Sequence, residues 1–386
     1  MNQQPVKYDA RHILVVEAWE AIRRRPGMYI GSTGERGPHH LVFEIAHGAL
    51  DEVLIGRGSC IEINLLPDGG VSVADDGPGT PFEDGVDGDG PGLEAQLTRL
   101  MCGRGLGGRQ SRAPSLRGAG LFIANALSSR MVAEVTRDGV RRVQEYARGL
   151  AVTAPTSAGS AVGSGTVLTF WPDPEIFGAA ECSFDVLADR FRELAFLNRE
   201  LDISLTDKRR SSEPRSLRFR SSGGVREMVA FLDEHAALHP DVSGFEQDDP
   251  RMAGTMEVAW RWRDSRQERV QSFVNSVPAP GGGAHMMGFQ DGLGIAVNAY
   301  ARKRRLLAAM DPDLPIERIG EGLTAVVSVK LEYPEFEGAT QGVLGNAAVR
   351  ACVRDAVLDH LDEWLEEHPR QAAAVIDRAI QAARRD

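Results

Sequence analysis

Residues 41–54 constrain the fold most, because they combine helical spacing with an acidic side chain in an apolar setting. Their apolar residues recur at helical spacing, which predicts a wide buried stripe. Glu44, Gly48 and Asp51 share another face of the same helix. A glycine inside a helix costs about 1 kcal/mol relative to alanine, so helix stability does not explain Gly48. The stretch predicts a helix that is buried on one side and carries a carboxylate on another.

Two glycine-rich turns follow this helix. Residues 71–74 alternate as a strand does and lead into the sequence Asp-Asp-Gly-Pro-Gly at 75–79. Its glycines let the chain turn sharply, and a carboxylate there can accept a hydrogen bond from an exocyclic amine. Residues 115–121 precede a helical stretch at 122–126, so their glycines bring bare N–H groups to a helix N-terminus, which favours an anion. The turns predict a site for a ligand that carries an amine and a phosphate.

Short segments extend this pattern along nearly the whole chain: 24–31, 39–44, 75–79, 125–128, 165–167, 170–172, 196–198, 207–209, 273–275, 281–285, 298–300 and 321–330. In residue identity, order and spacing these segments resemble the DNA gyrase B family. The resemblance implies an α/β (α+β) fold, with a Bergerat-type ATP-binding sandwich of the GHKL group and then a transducer domain with a ribosomal S5-like fold. The activity it implies is that of an ATP-hydrolysing type II DNA topoisomerase, which is an isomerase.

The resemblance also implies a domain organisation. Residues 1–20 match an N-terminal arm that crosses to a partner protomer, residues 21–220 the ATP-binding domain, and residues 221–386 the transducer domain. A serine-rich, charged stretch at 209–224 supports the boundary near 220. Full-length family members continue into a metal-binding cleavage (TOPRIM) domain, and this sequence stops where the transducer would stop. We therefore expect the cleavage domain to be absent.

Functional roles follow from the resemblance, residue by residue. Glu44 matches the general base that polarises the attacking water, and its alternative interpretation is a carboxylate favoured by the helix dipole. Asp75 matches the acceptor of the adenine amine. Thr166 matches the threonine that helps Asp75 to hold adenine, although a β-branched residue in a strand needs no such role. The other nucleotide-binding positions lie in the two glycine-rich turns: Gly77, Gly79, Arg117, Gly118 and Gly120.

Four positions depart from the family pattern. Gly48 replaces the asparagine that holds Mg²⁺, and glycine supplies no side-chain oxygen. Pro78 replaces an arginine that pairs with the acid matched by Glu52. Ala339 and Gln341 replace the glutamine and lysine of a transducer loop, so the charge that reaches the γ-phosphate is lost. We expect ATP to bind, hydrolysis to be weak or lost, and the Mg²⁺ site to be in doubt; restoring asparagine and lysine should raise turnover.

Arginines offer another source of positive charge at the phosphates. Arg117 lies inside the phosphate loop, and Arg104, Arg109 and Arg112 lie in or beside the glycine-rich stretch 103–109, which resembles the flexible lid of the family. Each is a candidate to compensate for the missing ligand and lysine. The alternative is that they are solvated loop residues.

Composition limits the classes of partner. A net charge of −11 argues against broad binding of nucleic acid. The densest basic run is Arg302, Lys303, Arg304 and Arg305, which is either a weak DNA contact or a solvated face. Arg137 matches an arginine near the inhibitor-binding site of the family.

The chain also lacks the sequence features of membrane-spanning, secreted and disulfide-bonded proteins. No stretch reaches the roughly 20 apolar residues of a membrane span, and the N-terminus has no signal-peptide core, so a cytoplasmic protein without membrane contact is expected. The four cysteines lie far apart without metal-ligand spacing, so no zinc site or disulfide framework is expected. Outside the site, helices are predicted over 346–365 and 370–385, and loops over 82–92 and 151–165.

Three functions remain open at this point. The first is an ATP-binding clamp that forms a homodimer when nucleotide binds and hydrolyses it weakly or not at all. The second is a non-catalytic gyrase-like decoy or regulator that binds gyrase subunits or gyrase inhibitors. The third is an active split topoisomerase subunit that works with a separate cleavage chain. Nucleotide binding, Mg²⁺-dependent turnover and capture of a gyrase subunit distinguish the three.

Overall fold

The computed structural model describes residues 16–54, 58–84, 91–100, 119–199, 201–209, 213–233, 241–308, 310–337 and 342–384. The chain groups into two compact units. The first contains most of the residues before Leu187, and the second contains most of those after Arg218. The single boundary near residue 220 stays a prediction.

A nine-stranded sheet with flanking helices forms the first half of the chain. The helices are α1 Ala18–Arg24, α2 Gly27–Ile30, α3 Gly37–Leu54, α4 Leu93–Thr98, α5 Gly120–Ala126, α6 Pro174–Phe177 and α7 Phe184–Leu197. The strands are β1 Cys60–Leu65, β2 Val71–Asp75, β3 Ser128–Arg137, β4 Val140–Ala147, β5 Leu150–Ala151, β6 Thr156–Ser160, β7 Gly165–Pro172, β8 Asp202–Asp207 and β9 Arg215–Phe219. Their order is β5-β4-β3-β7-β2-β1-β8-β9, with β6 paired to β4.

The predicted helix over 41–54 is confirmed as part of α3, which begins four residues earlier, at Gly37. Leu41, Ile45 and Ala49 of its stripe are buried. The expected strand before the first turn is also present as β2, and the helical stretch after the second turn is α5. Because β2 pairs with both β1 and β7, the turn that follows β2 lies in the centre of the sheet rather than at its edge.

The stretch 151–165 was expected to be a long loop, and that expectation is wrong in part. It contains β6, which pairs with β4. Every residue of β6 is exposed and its sequence is Thr-Ser-Ala-Gly-Ser, so it lacks the apolar alternation by which a strand is recognised. The loop expected over 82–92 lies partly outside the described residues.

The second half of the chain is built on a five-stranded sheet of order β10-β11-β14-β12-β13. The strands are β10 Ser243–Asp249, β11 Gly254–Trp262, β12 Arg269–Val274, β13 Val277–Pro278, β14 Leu323–Leu331, and the short pair β15 Phe336–Glu337 and β16 Val343–Leu344. The helices are α8 Val225–Leu232, α9 Ala284–Lys303, α10 Ile316–Ile319, α11 Ala347–Glu367 and α12 Pro369–Ala383. The helices predicted over 346–365 and 370–385 are thus confirmed.

The central strand β14 is buried on both faces because helices cover both sides of this sheet. Val326 packs in one apolar cluster with residues of α8. Ala325 and Val327, on the opposite face, pack in a larger cluster with residues of α9, α11 and α12. No helix within the described ranges is long and apolar enough to cross a membrane.

The helices α9 and α11 approach each other through glycine. A Cβ atom at Gly288 would lie 2.4 Å from the carbonyl oxygen of Arg350, and one at Gly292 would lie 2.7 Å from the carbonyl oxygen of Arg354. Beside this contact, Asp291 and Arg350 form an ion pair with a shortest distance of 2.7 Å. At these two positions the backbone of α9 therefore lies directly against the backbone of α11.

Candidate functional site

The helix α3 places Glu44 in a buried position, where only 5% of the residue is exposed. His40 lies one turn earlier, with its Nε2 atom 3.3 Å from Glu44 Oε1. Burial lowers the pKa of His40, so its ring is neutral near pH 7. Sequence reasoning missed His40, although its spacing of four residues from Glu44 was a signal.

The first residue of α5, Gly120, lies against the same carboxylate. A Cβ atom at this position would be 2.1 Å from Glu44 Oε2, so no larger residue fits without moving the acid or the helix. The structure therefore brings two predicted site residues, Glu44 and Gly120, into contact. The start of α5 therefore lies directly against α3.

Gly48 lies one turn after Glu44 and faces the second residue of α5. The nearest described atoms to a Cβ at Gly48 are Leu121 Cδ2 at 3.6 Å and Leu121 Cδ1 and Cγ at 3.9 Å. The described part of α5 therefore presents an apolar side chain to position 48. Within the described part of the chain, no group of three or more histidine, cysteine or acidic residues has the geometry to hold a metal ion. Gly48 itself has no side-chain oxygen to offer a Mg²⁺ at this position of the helix.

Asp75 ends β2 and is held by backbone donors. Its Oδ1 accepts hydrogen bonds from the N–H of Gly77 at 2.9 Å and from the N–H of Thr166 at 3.3 Å. The Oγ1 of Thr166 accepts a hydrogen bond from the N–H of Thr80 at 3.2 Å. A Cβ at Gly165 would lie 2.2 Å from the Asp75 carbonyl oxygen, so β7 passes as close to this turn as a backbone can. The predicted pair of Asp75 and Thr166 is brought together.

The next acid, Asp76, joins the same turn to the start of β1. It accepts hydrogen bonds from the N–H groups of Ser59 and Cys60, at 2.7 and 2.8 Å, and from the Ser59 hydroxyl at 2.8 Å. Burial raises the pKa of Asp76, but these hydrogen bonds outweigh burial and leave the pKa below its usual range. Sequence reasoning missed this role of Asp76. The only sequence signal for it was the second of two adjacent aspartates at 75–76.

The end of β3 closes the other side of the turn. Gly79 has a φ of +76°, and a Cβ there would lie 2.5 Å from the Thr136 carbonyl oxygen. Arg137 donates from Nη1 to the carbonyl oxygen of Gly79 at 3.2 Å and also pairs with Asp138. Pro78 lies between Gly77 and Gly79 in this turn and is half-buried. Arg137 is thus a rim residue of the Asp75 turn.

Several predicted site residues lie outside the described ranges. The phosphate-loop and lid positions Arg117, Gly118, Arg104, Arg109 and Arg112, the transducer-loop positions Ala339 and Gln341, and the side chain of Glu52 belong to this group. Their expected roles stay predictions.

Intramolecular ion pairs occupy most of the basic run. Arg302 pairs with Asp313 at 2.7 Å, and both Lys303 and Arg304 pair with Glu366, at 2.7 and 2.5 Å. Charges that are already paired release less free energy on meeting a phosphate backbone. The run therefore gives little support to the DNA contact considered from the sequence.

Among solved structures, the 43K ATPase domain of Thermus thermophilus gyrase B, in complex with an aminocoumarin, is similar along its length. It is 32% identical, the match covers 95% of each chain, and the TM-score is 0.77. The chain belongs to the DNA gyrase B family. The sequence model of that family, described as DNA gyrase B, matches residues 224–386. The family and the mixed α/β fold expected from the motifs are both confirmed.

Further relatives agree with this gyrase B assignment. The ATP-binding domain of topoisomerase IV from Francisella tularensis is 26% identical, with a TM-score of 0.79 over 96% of this chain and 98% of that domain. The DNA gyrase B protein of Streptomyces coelicolor is 40% identical over 97% of this chain, and that of Mycobacterium tuberculosis is 36% identical over 98%. The chain spans 57% and 60% of the lengths of these two curated relatives.

Proposed function

We propose that the protein is an ATP-binding clamp of the gyrase B type, in which binding is retained and hydrolysis is weak or lost. The arrangement around Asp75 carries this proposal. Two backbone donors hold one oxygen of the carboxylate, and Thr166 lies next to it. A fixed carboxylate at the end of a strand recognises an exocyclic amine such as that of adenine. The names of two relatives, an ATPase domain and an ATP-binding domain, support the same ligand.

The close backbone packing around this turn favours a flat ligand. Gly165 approaches the carbonyl group of Asp75, and Gly79 approaches that of Thr136, at distances that exclude a side chain. A planar base can therefore reach the backbone at this point, as glycine-rich nucleotide sites require. Asp76 supports the turn from outside, since it ties the turn to the start of β1.

Glu44 and His40 retain the features of a water-activating group. A buried carboxylate beside a neutral imidazole can orient a water and accept its proton. When bound, Mg²⁺ supplies positive charge to the leaving phosphate, which is the larger contribution in phosphoryl transfer. Gly48 offers it no ligand, so we expect slow hydrolysis that depends on Glu44.

A second candidate function is that of a regulator which binds gyrase inhibitors or gyrase subunits. The contact of Arg137 with Gly79 favours it, because an arginine at the rim of the Asp75 turn offers a handle to an inhibitor. The Thermus thermophilus relative was solved with an aminocoumarin. A homodimer formed on nucleotide binding and a cytoplasmic location are parts of the proposal. A weak contact with DNA stays possible, and an active split topoisomerase subunit that works with a separate cleavage chain stays an alternative.

Calorimetry with a non-hydrolysable ATP analogue tests the function directly. Asp75→Asn should weaken binding about 10- to 100-fold, because a hydrogen bond to a charged group is lost. Asp68→Asn is the matched control, since Asp68 also accepts a hydrogen bond from the glycine N–H two residues later, in an exposed turn. Binding that survives Asp75→Asn contradicts the assigned adenine site. A wild-type protein that binds no nucleotide and instead binds an aminocoumarin or a gyrase subunit favours the regulator.

A further inference from the structure

Three consecutive backbone carbonyl groups lie where α5 ends and β3 begins, and each accepts a hydrogen bond from a different part of the chain. All three bonds are 3.0 Å long, and they run from Arg23 Nη1 to Ala126, from the Asp173 N–H to Leu127, and from the Arg148 N–H to Ser128. Arg23 lies on α1, Asp173 precedes α6, and Arg148 lies in the turn between β4 and β5. We call these three donor residues the α5 anchor.

The members of the α5 anchor also hold one another. The side chain of Asp173 is fully buried, and its Oδ2 atom lies 2.7 Å from Arg23 Nη2 and 3.0 Å from Arg148 Nε. Its Oδ1 atom accepts a hydrogen bond from the N–H of Glu175 at 3.0 Å and so caps α6. Glu175 pairs in turn with both arginines, at 3.1 and 2.8 Å. Two acids and two arginines therefore balance each other's charge, as a buried carboxylate requires.

The turn that carries Arg148 is closely packed against α1. Arg148 has a φ of +54°, in the left-handed region that favours glycine, and Gly149 follows with a φ of +91°. A Cβ atom at Gly149 would lie 2.6 Å from the Cβ atom of Trp19 on α1. A backbone conformation of this kind persists where the surrounding contacts hold it. The turn therefore brings the Arg148 side chain to Asp173 while its backbone lies against α1.

The two ends of α5 meet different partners. The helix has seven residues, which is two turns and about 10 Å. Its last residue, Ala126, accepts the hydrogen bond from Arg23, and its first residue, Gly120, lies against the carboxylate of Glu44. Backbone hydrogen bonds connect successive turns of a helix, so a shift at one end of so short a helix displaces the other end. The anchor at Ala126 therefore bears on where Gly120 meets Glu44.

We propose that Arg23, Asp173 and Arg148 are positioning residues, which set the place of α5 against Glu44 and thereby the affinity for the phosphate part of ATP. The proposal rests on the proposed ATP-binding function, in which Glu44 acts at the phosphates and Asp75 at the base. The anchor acts through α5, because its contacts lie at the end of the helix away from Glu44.

Arg23 is the central member of the anchor. One planar guanidinium group reaches both the helix end, through Nη1, and the buried carboxylate of Asp173, through Nη2. This fork geometry is specific to arginine, and a lysine amine does not reproduce it. Arg23→Met, which keeps a straight apolar stem, removes both contacts at once.

The test compares the wild type with Arg23→Met, Asp173→Asn and the double variant, by calorimetry with the ATP analogue and by thermal unfolding. Arg23→Met should weaken binding about tenfold, the order of one hydrogen bond from a charged group, and should lower the thermal stability. The double variant also removes the buried charge, so it should regain stability relative to Arg23→Met. It should not regain affinity, because the carbonyl group of Ala126 still lacks its donor.

The chain offers a closely matched control in its second half. Arg261 and Asp233 form an ion pair whose side chains are 12% and 0% exposed, the same values as for Arg23 and Asp173. Arg261→Met should cost comparable stability and leave the affinity for the analogue unchanged.

Hydrogen exchange gives a local measurement of the same effect. In Arg23→Met the amides of residues 119–128 should exchange faster than in the wild type, because the end of α5 has lost its anchor. The amides of residues 71–80, which form β2 and the Asp75 turn, should exchange at the wild-type rate.

Three results would contradict the positioning role: wild-type affinity in a folded Arg23→Met protein, an equal loss of affinity in Arg261→Met, or affinity that returns together with stability in the double variant. If Arg23→Met does not fold, Arg148→Met decides, since Arg148 is 45% exposed and keeps its backbone bond. Its affinity should fall about two- to fivefold, and an unchanged affinity overturns the proposal. A wild type that binds no nucleotide refutes the proposed function instead.

Discussion

At the scale of single residues, His285 is a buried ionisable residue that takes no part in the candidate site. Its side chain in the first turn of α9 is fully buried, and neither ring nitrogen has a hydrogen-bond partner among the described residues. Burial lowers the pKa of His285 to about 4 from 6.5. The folded protein therefore keeps this histidine neutral at pH values where the unfolded chain binds a proton.

The consequence is a loss of stability in acid. Because the unfolded chain binds the extra proton, the free energy of unfolding falls as the pH drops from 6.5 toward 4, by about 3 kcal/mol in total. Urea titrations across this window should show a shallower slope for His285→Leu than for the wild type. Equal slopes for the two proteins would place the acid sensitivity elsewhere.

Glu44, Asp75 and Thr166 were predicted from the sequence because each lies in a recognisable motif, and the structure brings Asp75 and Thr166 together. The sequence did not identify His40, Asp76 or the contact of Leu121 with Gly48. The role of Asp76 and the contact of Leu121 depend on which residue of another element they face, and spacing along one chain does not contain that distance. Leu121 in particular reads as one more apolar residue of a short helix.

Between elements, the contact of α5 with α3 makes a sharp prediction about Gly120. Replacement by alanine puts a methyl group about where Glu44 Oε2 lies, so we expect a loss of about 1–3 kcal/mol in stability and weaker nucleotide binding. Gly27→Ala is matched to it, since Gly27 also begins a helix but has no neighbour within 4 Å. Thermal unfolding and calorimetry of both variants check this. A Gly120→Ala protein as stable as Gly27→Ala would mean that the helices do not meet as described.

The contact of α9 with α11 gives a second comparison, within one helix. Gly292→Ala should destabilise by about 1–3 kcal/mol, because its Cβ would meet the Arg354 carbonyl oxygen. Gly294→Ala, two residues later, faces open space and should stabilise by up to about 1 kcal/mol through helix propensity. Chemical denaturation of the two variants measures the difference. The same sign of change in both would contradict the close approach.

Elements were predicted from sequence where periodicity was strong and missed where it was weak. The helix α3 and the two C-terminal helices have long apolar stripes, whereas β6 is exposed on both faces and carries only small and polar residues. The segment is a strand because it pairs with β4, and the residues of β6 alone do not indicate that pairing.

At the scale of the whole molecule, the order of motifs gave the family, because a series of separate matches in one order is improbable by chance. The residue types in a motif do not show what surrounds a substituted position. The neighbour of Gly48 on α5 was therefore visible only in the structure.

The expected nucleotide-linked homodimer is tested by light scattering. The ATP analogue should shift the mass from 41.9 kDa toward twice that value, since the clamp proposed here closes on a second copy. Asp75→Asn should prevent the shift at the same analogue concentration, and Asp68→Asn should not. A protein that binds the analogue and stays monomeric would leave the nucleotide site intact and refute the dimerising clamp.

The glycine contact between α9 and α11 also has a mechanical meaning. Side chains packed between two helices allow one helix to shift slightly past the other, because the side chains can change rotamer. At Gly288 and Gly292 backbone lies against backbone, so α9 has no side chain at these positions that could change rotamer to absorb a displacement. We therefore expect the two helices to move together as one rigid element, about 30 Å long on the α11 side.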